Sequence, residues 1–310
     1  MTKLLMRRIA GVVLLFIALQ FEAQGASYSY DNAGRLTKVD YGSAGVVLYS
    51  YDPAGNLVSR QVQPAQAQGP GTPVITAVVN AESGSALIAP NTWVALYGTN
   101  LSPAGDSRAW KAPDDFANNR LPTQLDNVTV TVNGKSAFVY YISPTQVNIL
   151  TPPDPMTGSV QVQLTNGAAT SASFAVDAKS TSPAFFIFGG GPYVVAQHAN
   201  YSLVGPTTLY SGLTTPAAPG ETILIYANGF GSTAPPVTSE QIAQAGNLPT
   251  LPVLTIGGVN ASVQFAGLVL AGLYQLNVVV PSNLQSGDYD LTATYGALKT
   301  QSGVKVTVQH

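Results

Sequence analysis

The chain has 310 residues, of which 45% are hydrophobic and only 9% are charged, so it can bury more than one core and is not expected to be disordered. Its formal net charge of −2 argues against binding to nucleic acid or to anionic membrane surfaces. The absence of cysteine excludes disulfides and cysteine metal sites. Abundant Gly, Pro, Thr, Val and Tyr favour short strands and tight turns, and therefore an all-β protein.

The first 25 residues have the pattern of a secretory signal peptide. Three basic side chains between residues 3 and 8 precede an apolar run from Ile9 to Leu19, and small residues precede the expected cleavage after Gly25. The apolar run is shorter than the roughly 20 residues that span a bilayer, so an uncleaved anchor is the weaker alternative. We expect a bacterial protein that is exported and then secreted or held at the cell surface, with no membrane span after cleavage.

A short repeat occupies residues 26–60. The segment Tyr28–Leu36 (YSYDNAGRL) recurs 21 residues later as Tyr49–Leu57 (YSYDPAGNL). Alternating Tyr favours a strand, Asp opens a turn and Gly supplies positive φ, so each copy is predicted to form a β-hairpin. The motif resembles the YD repeats of Rhs-type proteins, whose many repeats wind into a large β shell. Two repeats cannot close a shell, and we expect a small hairpin segment followed by a linker at residues 61–73.

The remainder of the chain is an internal duplication with a period of 129 residues. The strand Val94–Tyr97 is repeated as Ile223–Tyr226, and the Gln-x-Asn motif at residues 146–148 returns at 275–277. The predicted strands lie near residues 74–80, 92–98, 128–133, 137–142, 146–151, 159–165 and 171–176, and near 193–196, 222–228, 253–256, 261–266, 274–280, 288–295 and 299–308. Such short strands indicate antiparallel sandwiches, and we predict two tandem immunoglobulin-like domains, at residues 74–178 and 179–310.

A series of ordered motifs gives the duplicated region a family resemblance from about Pro73 to Gln309. They are Pro90–Thr92, Tyr97–Leu101, Leu121–Thr123, Val132–Gly134 and Tyr141–Asn148, followed by Phe188–Gly191, Gln197–Asn200, Tyr226–Gly229, Ile256–Gly258 and Gly272–Asn277. They look like the uncharacterised C-terminal domain family found on secreted Solibacter-type acidobacterial proteins, and the unit is similar to IPT/TIG immunoglobulin-like domains. The resemblance implies a β-sandwich on a secreted bacterial protein and no established activity.

The two Gln-x-Asn motifs supply candidate ligand-binding residues. Gln146 and Asn148 share one face of a strand, and so do Gln275 and Asn277, because residues two apart on a strand point the same way. Amides both donate and accept hydrogen bonds, which suits hydroxyl-rich ligands such as glycans. The alternative is that each pair satisfies groups within the fold, as buried amides usually do.

Aromatic side chains give a second candidate for glycan binding. Trp110 lies in a long irregular insert at residues 102–124, whose counterpart in the second copy is residues 232–250, and inserts of that length are often functional. If exposed, Trp110 could stack on a sugar ring, together with Tyr140 and Tyr141, whereas Trp93 is expected in the core.

Signals for catalysis and for bound groups are weak. His198 is the one candidate base because the other histidine is the terminal residue, and no Gly-x-Ser-x-Gly motif is present. The acidic pairs at 114–115 and at 288 and 290 match no glycosidase or EF-hand pattern. We predict no catalytic residues, no cofactor and no metal.

Three functional hypotheses follow. The first is a secreted or cell-surface, non-catalytic β-sandwich protein for adhesion, assembly or spacing. The alternatives are a carbohydrate-binding module and a secreted hydrolase that uses His198. The expected partner is an extracellular glycan or another surface protein, and the oligomeric state stays open.

Overall fold

A computed structural model describes residues 27–31, 33–40, 46–63, 71–189, 191–238 and 240–310. The predicted signal peptide lies outside the described residues, as does most of the predicted linker. The described part is built of strands with one 3-10 turn, Ala117–Asn119, which confirms the all-β prediction. Among these residues, no helix has the length and apolar character needed to cross a membrane.

The N-terminal repeat forms a four-stranded antiparallel sheet in chain order. Its strands are β1 (Ser27–Tyr30), β2 (Leu36–Asp40), β3 (Val46–Tyr51) and β4 (Leu57–Gln63). Asp31 closes the first hairpin by accepting the backbone N–H groups of Ala33 and Arg35 at 2.9 Å each, and Asp52 accepts that of Asn56 at 2.8 Å in the second. The predicted β-hairpin segment is therefore confirmed, and its last strand continues to residue 63.

The first sandwich contains strands β5 to β16. They are β5 (Val74–Asn80), β6 (Leu87–Ile88), β7 (Trp93–Thr99), β8 (Arg108–Ala109), β9 (Gln124–Leu125), β10 (Val128–Val132), β11 (Lys135–Ser136), β12 (Phe138–Ile142), β13 (Gln146–Leu150), β14 (Gly158–Asn166), β15 (Ala169–Thr170) and β16 (Phe174–Ala178). One sheet has the order β5-β7-β13-β12-β8 and the other β11-β10-β14-β16-β6. Alternate residues of both sheets, such as Leu96 and Leu164, point into a common core, which makes a sandwich.

The second sandwich contains strands β17 to β28. They are β17 (Ala184–Phe185), β18 (Ala196–Gln197), β19 (Leu203–Val204), β20 (Thr214–Thr215), β21 (Thr222–Asn228), β22 (Gly246–Asn247), β23 (Val253–Ile256), β24 (Val259–Leu270), β25 (Leu273–Val279), β26 (Gly287–Tyr295), β27 (Leu298–Lys299) and β28 (Lys305–Val308). The long strand β24 pairs with β23 through its first residues and with β25 through the rest. It therefore links the two layers that enclose the second core.

The duplication is preserved in strand register. Gln146 on β13 pairs with Tyr97 on β7, and Gln275 on β25 pairs with Tyr226 on β21. The bounds of β7 and β21 differ by the same 129 residues as the sequence repeat, and so do those of β14 and β26. The repeat seen in the sequence is thus a repeat of central strands.

The core of the first sandwich continues into the second. Its buried cluster includes Phe186, Tyr226 and Leu273, which belong to the second half of the chain. Gly272, in the turn between β24 and β25, shows how close this contact is: a Cβ atom there would lie 2.5 Å from Leu150 and 2.6 Å from Trp93 Nε1. The two sandwiches therefore share an apolar interface rather than being joined by a linker alone.

Candidate functional site

The structure places Trp110 in an aromatic cluster and not on the surface. The side chain is only 8% exposed, with ring centroids 5.9 Å from Trp93, 4.9 Å from Tyr140 and 5.1 Å from Phe116. Edge-to-face contacts of this kind stabilise a core. The sequence hypothesis that Trp110 stacks on a sugar requires an exposed ring, whereas this ring lies in a packed cluster, and a ligand role for Trp110 stays a prediction.

The insert around Trp110 is fixed in place by one arginine. Arg108 makes a two-pronged contact with Asp126 and donates to Asp115 through Nη1 at 2.8 Å and Nη2 at 3.1 Å. The guanidinium holds the pKa of both carboxyls below the ordinary value for aspartate. Burial, together with repulsion from Asp126, raises the pKa of Asp106. Asp115 of the insert and Asp126, just beyond its end, are thus ion-paired to Arg108, which neutralises the negative charge that would attract a cation.

In each Gln-x-Asn motif the two amide side chains form a hydrogen bond with each other. Gln146 Nε2 donates to Asn148 Oδ1 at 2.8 Å, and Gln275 Nε2 donates to Asn277 Oδ1 at 2.7 Å. Asn148 is 6% exposed, whereas the other three amides are half-buried. The same bond at equivalent positions of both sandwiches supports the alternative in which these amides satisfy the fold, although a ligand role stays a prediction.

Sequence reasoning missed a buried amide network between the sandwiches. Asn228 accepts the backbone N–H of Trp93 at 2.9 Å and donates to the Trp93 carbonyl at 3.1 Å and to Asn80 Oδ1 at 3.2 Å. Asn80 in turn donates to the carbonyl of Ser182 at 2.8 Å. Neither asparagine has exposed surface. A signal was available, because the repeat breaks here: Thr99 is the first-copy counterpart of Asn228.

The two long inserts also meet each other. The backbone N–H of Leu121 donates to the carbonyl of Glu240 at 2.8 Å, and Arg120 Nη1 lies 3.0 Å from Glu240 Oε2. Ile242, in the second insert, packs against the first core. The inserts that the sequence singled out as functional loops thus contribute a second contact between the domains.

Both ring nitrogens of His198 have hydrogen-bond partners. Nδ1 lies 2.5 Å from Glu221 Oε1, and Nε2 lies 2.9 Å from Thr215 Oγ1 and 3.2 Å from the Thr215 carbonyl. Glu221 also accepts the Ala218 N–H at 2.9 Å. The imidazole therefore ties the residues around β20 to the start of β21. The hydroxyl, imidazole and carboxylate stand in the order that nucleophilic catalysis uses, which keeps this group a catalytic candidate.

The paired sheets and their shared core define an immunoglobulin-like β-sandwich protein. Residues 30–67 match the RHS Repeat family, and residues 73–185 match the IPT/TIG domain family. The chain therefore carries an RHS repeat followed by an IPT/TIG domain, which confirms both resemblances read from the motifs. The resemblance to the Solibacter-type family stays a prediction.

None of the curated proteins matches the chain. Similar solved structures include the extracellular region of plexin A4, which is 12% identical with a TM-score of 0.26 over 90% of this chain and 18% of the plexin chain. Bacteroides ovatus SGBP-B, solved in complex with a mixed-linkage heptasaccharide, is 13% identical with a TM-score of 0.31 over 85% of this chain and 52% of its own. The I9–I11 tandem of titin is 9% identical with a TM-score of 0.19, over 94% and 83% of the two chains. All three TM-scores are below 0.5, and this chain spans only 18% of the plexin region.

Proposed function

We propose that the protein is an exported, non-catalytic module in which two immunoglobulin-like sandwiches act as one rigid unit for assembly or spacing at the cell surface. The observation that carries the proposal is the buried interface between them. A fully hydrogen-bonded polar network inside an apolar contact fixes one relative orientation, since any slip leaves buried groups without partners. A spacer needs that property, because it must hold its two ends at a constant distance.

Two further observations support the proposal. The basic and apolar pattern of residues 1–25 favours export. Trp110 and the Gln-x-Asn amides, which were the candidates for glycan recognition, make contacts within the sandwiches. A protein partner therefore fits the chain better than a glycan does.

A distance measurement between the sandwiches tests rigidity. The chain has no cysteine, so Ala175→Cys on β16 and Asn260→Cys on β24 give two exposed sites for spin labels. We expect a narrow distribution of label distances. Gly272→Ala should broaden the distance distribution, because the added methyl group pushes Trp93 and Leu150 away from the turn. Gly258→Ala is the control: it imposes the same positive-φ strain, but no atom lies within 4 Å of the added Cβ, so the distribution should stay narrow. A broad distribution in the otherwise unsubstituted chain contradicts the proposal.

A hydrolase is the second candidate, and the Thr215, His198 and Glu221 arrangement is the observation that favours it. Thr215→Val removes the hydroxyl and Glu221→Gln removes the carboxylate, and each should abolish turnover of p-nitrophenyl esters if the group is catalytic. Thr207→Val, at an exposed threonine, is the matched control. Absence of turnover by the unsubstituted protein across ester, peptide and glycoside substrates removes this candidate.

A further inference from the structure

A groove lies between the two sandwiches, apart from the polar network described above. Its cavity volume is about 510 Å³, and both domains line it. Binding pockets for small ligands commonly have volumes of about 300 to 1,000 Å³ and often lie at domain interfaces. The size and the position of the groove are therefore those of a ligand site.

The floor of the groove is apolar. Met156 comes from the first sandwich, and Phe230 and Tyr295 come from the second, all three with at most 8% of their surface exposed. The rings of Phe230 and Tyr295 lie 5.5 Å apart. Since these side chains also belong to the packed cores, the floor is rigid and preformed.

Tyr295 brings a polar group to this apolar wall. Its hydroxyl makes no hydrogen bond within the described residues, although the side chain is 92% buried. Among those residues, Asn166 Oδ1 is the one fully buried side-chain atom without a partner, so the Tyr295 hydroxyl is still reached by solvent. A phenylalanine would fill the same space, whereas the phenol leaves a hydrogen-bond donor open towards the groove.

The rim of the groove has positive charge. Lys179 is exposed and has no ion pair among the described residues, and none of the residues that line the groove is Asp or Glu. In a chain with a net charge of −2, a cation with no acidic neighbour in the groove favours an anionic ligand. The remaining rim is made of hydroxyl side chains such as Thr157 and Ser232.

We propose that this groove binds a small amphipathic carboxylate. The apolar body of the ligand lies on Met156, Phe230 and Tyr295, and its carboxylate accepts a hydrogen bond from the Tyr295 hydroxyl while Lys179 supplies the opposite charge. The lining contains no Asp, Glu, Asn, Gln or Arg, the side chains best suited to bidentate hydrogen bonding of sugar hydroxyls, so the site fits an apolar acid better than a glycan.

Methionine labelling gives a direct probe of the site. The chain has three methionines, two of them within the first six residues, so the Met156 methyl group reports on the groove in the full-length protein. We propose titrating methyl-labelled protein with 4-phenylbutyrate and, separately, with its uncharged analogue 4-phenylbutanamide. Saturable shifts of the Met156 methyl signal are expected, with the acid bound at least about threefold more tightly than the amide.

Two variants separate the contributions of the polar groups. Tyr295→Phe should weaken binding of the acid about threefold without affecting folding, because the hydroxyl makes no hydrogen bond to the part of the chain that the structure describes. Lys179→Gln should lower the affinity for the acid about twofold to fivefold and leave the affinity for the amide unchanged. Lys299→Gln is the matched control, at the exposed residue that follows Leu298 of the groove. It should change neither the affinity for the acid nor that for the amide.

Three outcomes would overturn the proposal. The first is the absence of a saturable Met156 shift up to about 10 mM ligand, a concentration that detects even millimolar affinity. The second is equal affinity for acid and amide, which removes the anionic ligand. The third is unchanged binding in Tyr295→Phe together with Lys179→Gln, which places the ligand elsewhere.

Discussion

Asn228 ends the strand β21 with no exposed surface, and its amide joins the backbone of Trp93 to the side chain of Asn80. The half-buried amides of Gln275 and Asn277, on the neighbouring strand β25, instead bond to each other. At the scale of single residues, asparagine and glutamine therefore have two roles here: one set completes the sheets, and the other fixes the contact between the domains. Buried polar groups stabilise a structure only when every partner is present.

We expect Asn228→Ala to lower the free energy of unfolding by about 1 to 3 kcal/mol, because it leaves the buried Trp93 N–H without its acceptor. The Trp93 carbonyl keeps the Ala81 N–H as a donor, and Asn80 Oδ1 keeps the N–H groups of Glu82 and Ser83. Urea titration followed by tryptophan fluorescence measures the loss. Asn283→Ala, at an exposed asparagine, should change the free energy by less than about 0.5 kcal/mol. Equal effects of the two substitutions would show that the network is not stabilising.

Glu82 gives a prediction about pH. Burial raises the pKa of its carboxyl from the ordinary 4.5 to about 8. The unfolded chain loses this proton near pH 4.5 and the folded chain keeps it to about pH 8, so the free energy of unfolding falls as pH rises between those values. Glu82→Gln should remove this decline, so that the variant gains stability relative to the parent over this range in thermal melts. Asp177→Asn, at an exposed carboxylate on β16, should not, and a parallel pH profile for Glu82→Gln would contradict the assignment.

At the scale of elements, the long insert of the first sandwich behaves as part of the core. Arg108 and Ala109 form β8, which pairs with β12, and the backbone N–H of Trp110 donates to the Tyr140 carbonyl at 2.8 Å. The ion pairs of Arg108 hold β8 against Asp115 in the middle of the insert and against Asp126 just beyond its end. An insert that is irregular in sequence is therefore ordered by its contacts with the sheet.

Trp110→Ala should accordingly lower the free energy of unfolding by about 3 to 5 kcal/mol, as for a large aromatic side chain lost from a core. Trp110→Phe keeps one aromatic ring in the cluster, so it should lower the free energy of unfolding by less than half as much as Trp110→Ala does. Guanidinium denaturation measures both. If Trp110→Ala left stability unchanged and abolished glycan binding on an array, the surface role expected from the sequence would be restored.

At the scale of the whole molecule, the two sandwiches are coupled by a continuous apolar cluster and by the contact between their inserts. Leu273 and Phe186 of the second half belong to the first core, and Arg120 pairs with Glu240 across the inserts. Interfaces within a chain allow relative motion unless they are apolar and closely packed. The interface at Gly272 and Trp93 is apolar and closely packed, so we expect little relative motion of the two sandwiches.

The two sandwiches should therefore unfold together. Calorimetry is expected to give a single transition for them, with equal calorimetric and van't Hoff enthalpies. Asn228→Ala should lower the midpoint of that whole transition if coupling persists, or split it into two if the network is what couples the domains. Two transitions in the unsubstituted protein would contradict the coupling.

The central strands and their duplication could be predicted from the sequence, whereas two-residue strands such as β6 and β20 could not. Strands β5, β21 and β23 have the bounds predicted for them, because a short run of apolar and β-branched residues between turn residues is a local property of the chain. The hairpin turns at Asp31 and Asp52 were equally predictable from local backbone chemistry. The same local pattern also placed Gln146 beside Asn148, although not the bond between them.

Which side chains are buried and which groups meet is set by the packing of the folded chain. The burial of Trp110, the pairing of Asn228 with the Trp93 backbone and the groove beside Tyr295 all depend on residues far apart in the sequence. Trp is often buried but rarely completely, and Asn is usually exposed unless its amide is hydrogen-bonded inside the protein, so residue type alone does not decide the burial of a particular side chain. The packing of one sandwich against the other makes that choice, because it fixes which faces lose contact with water.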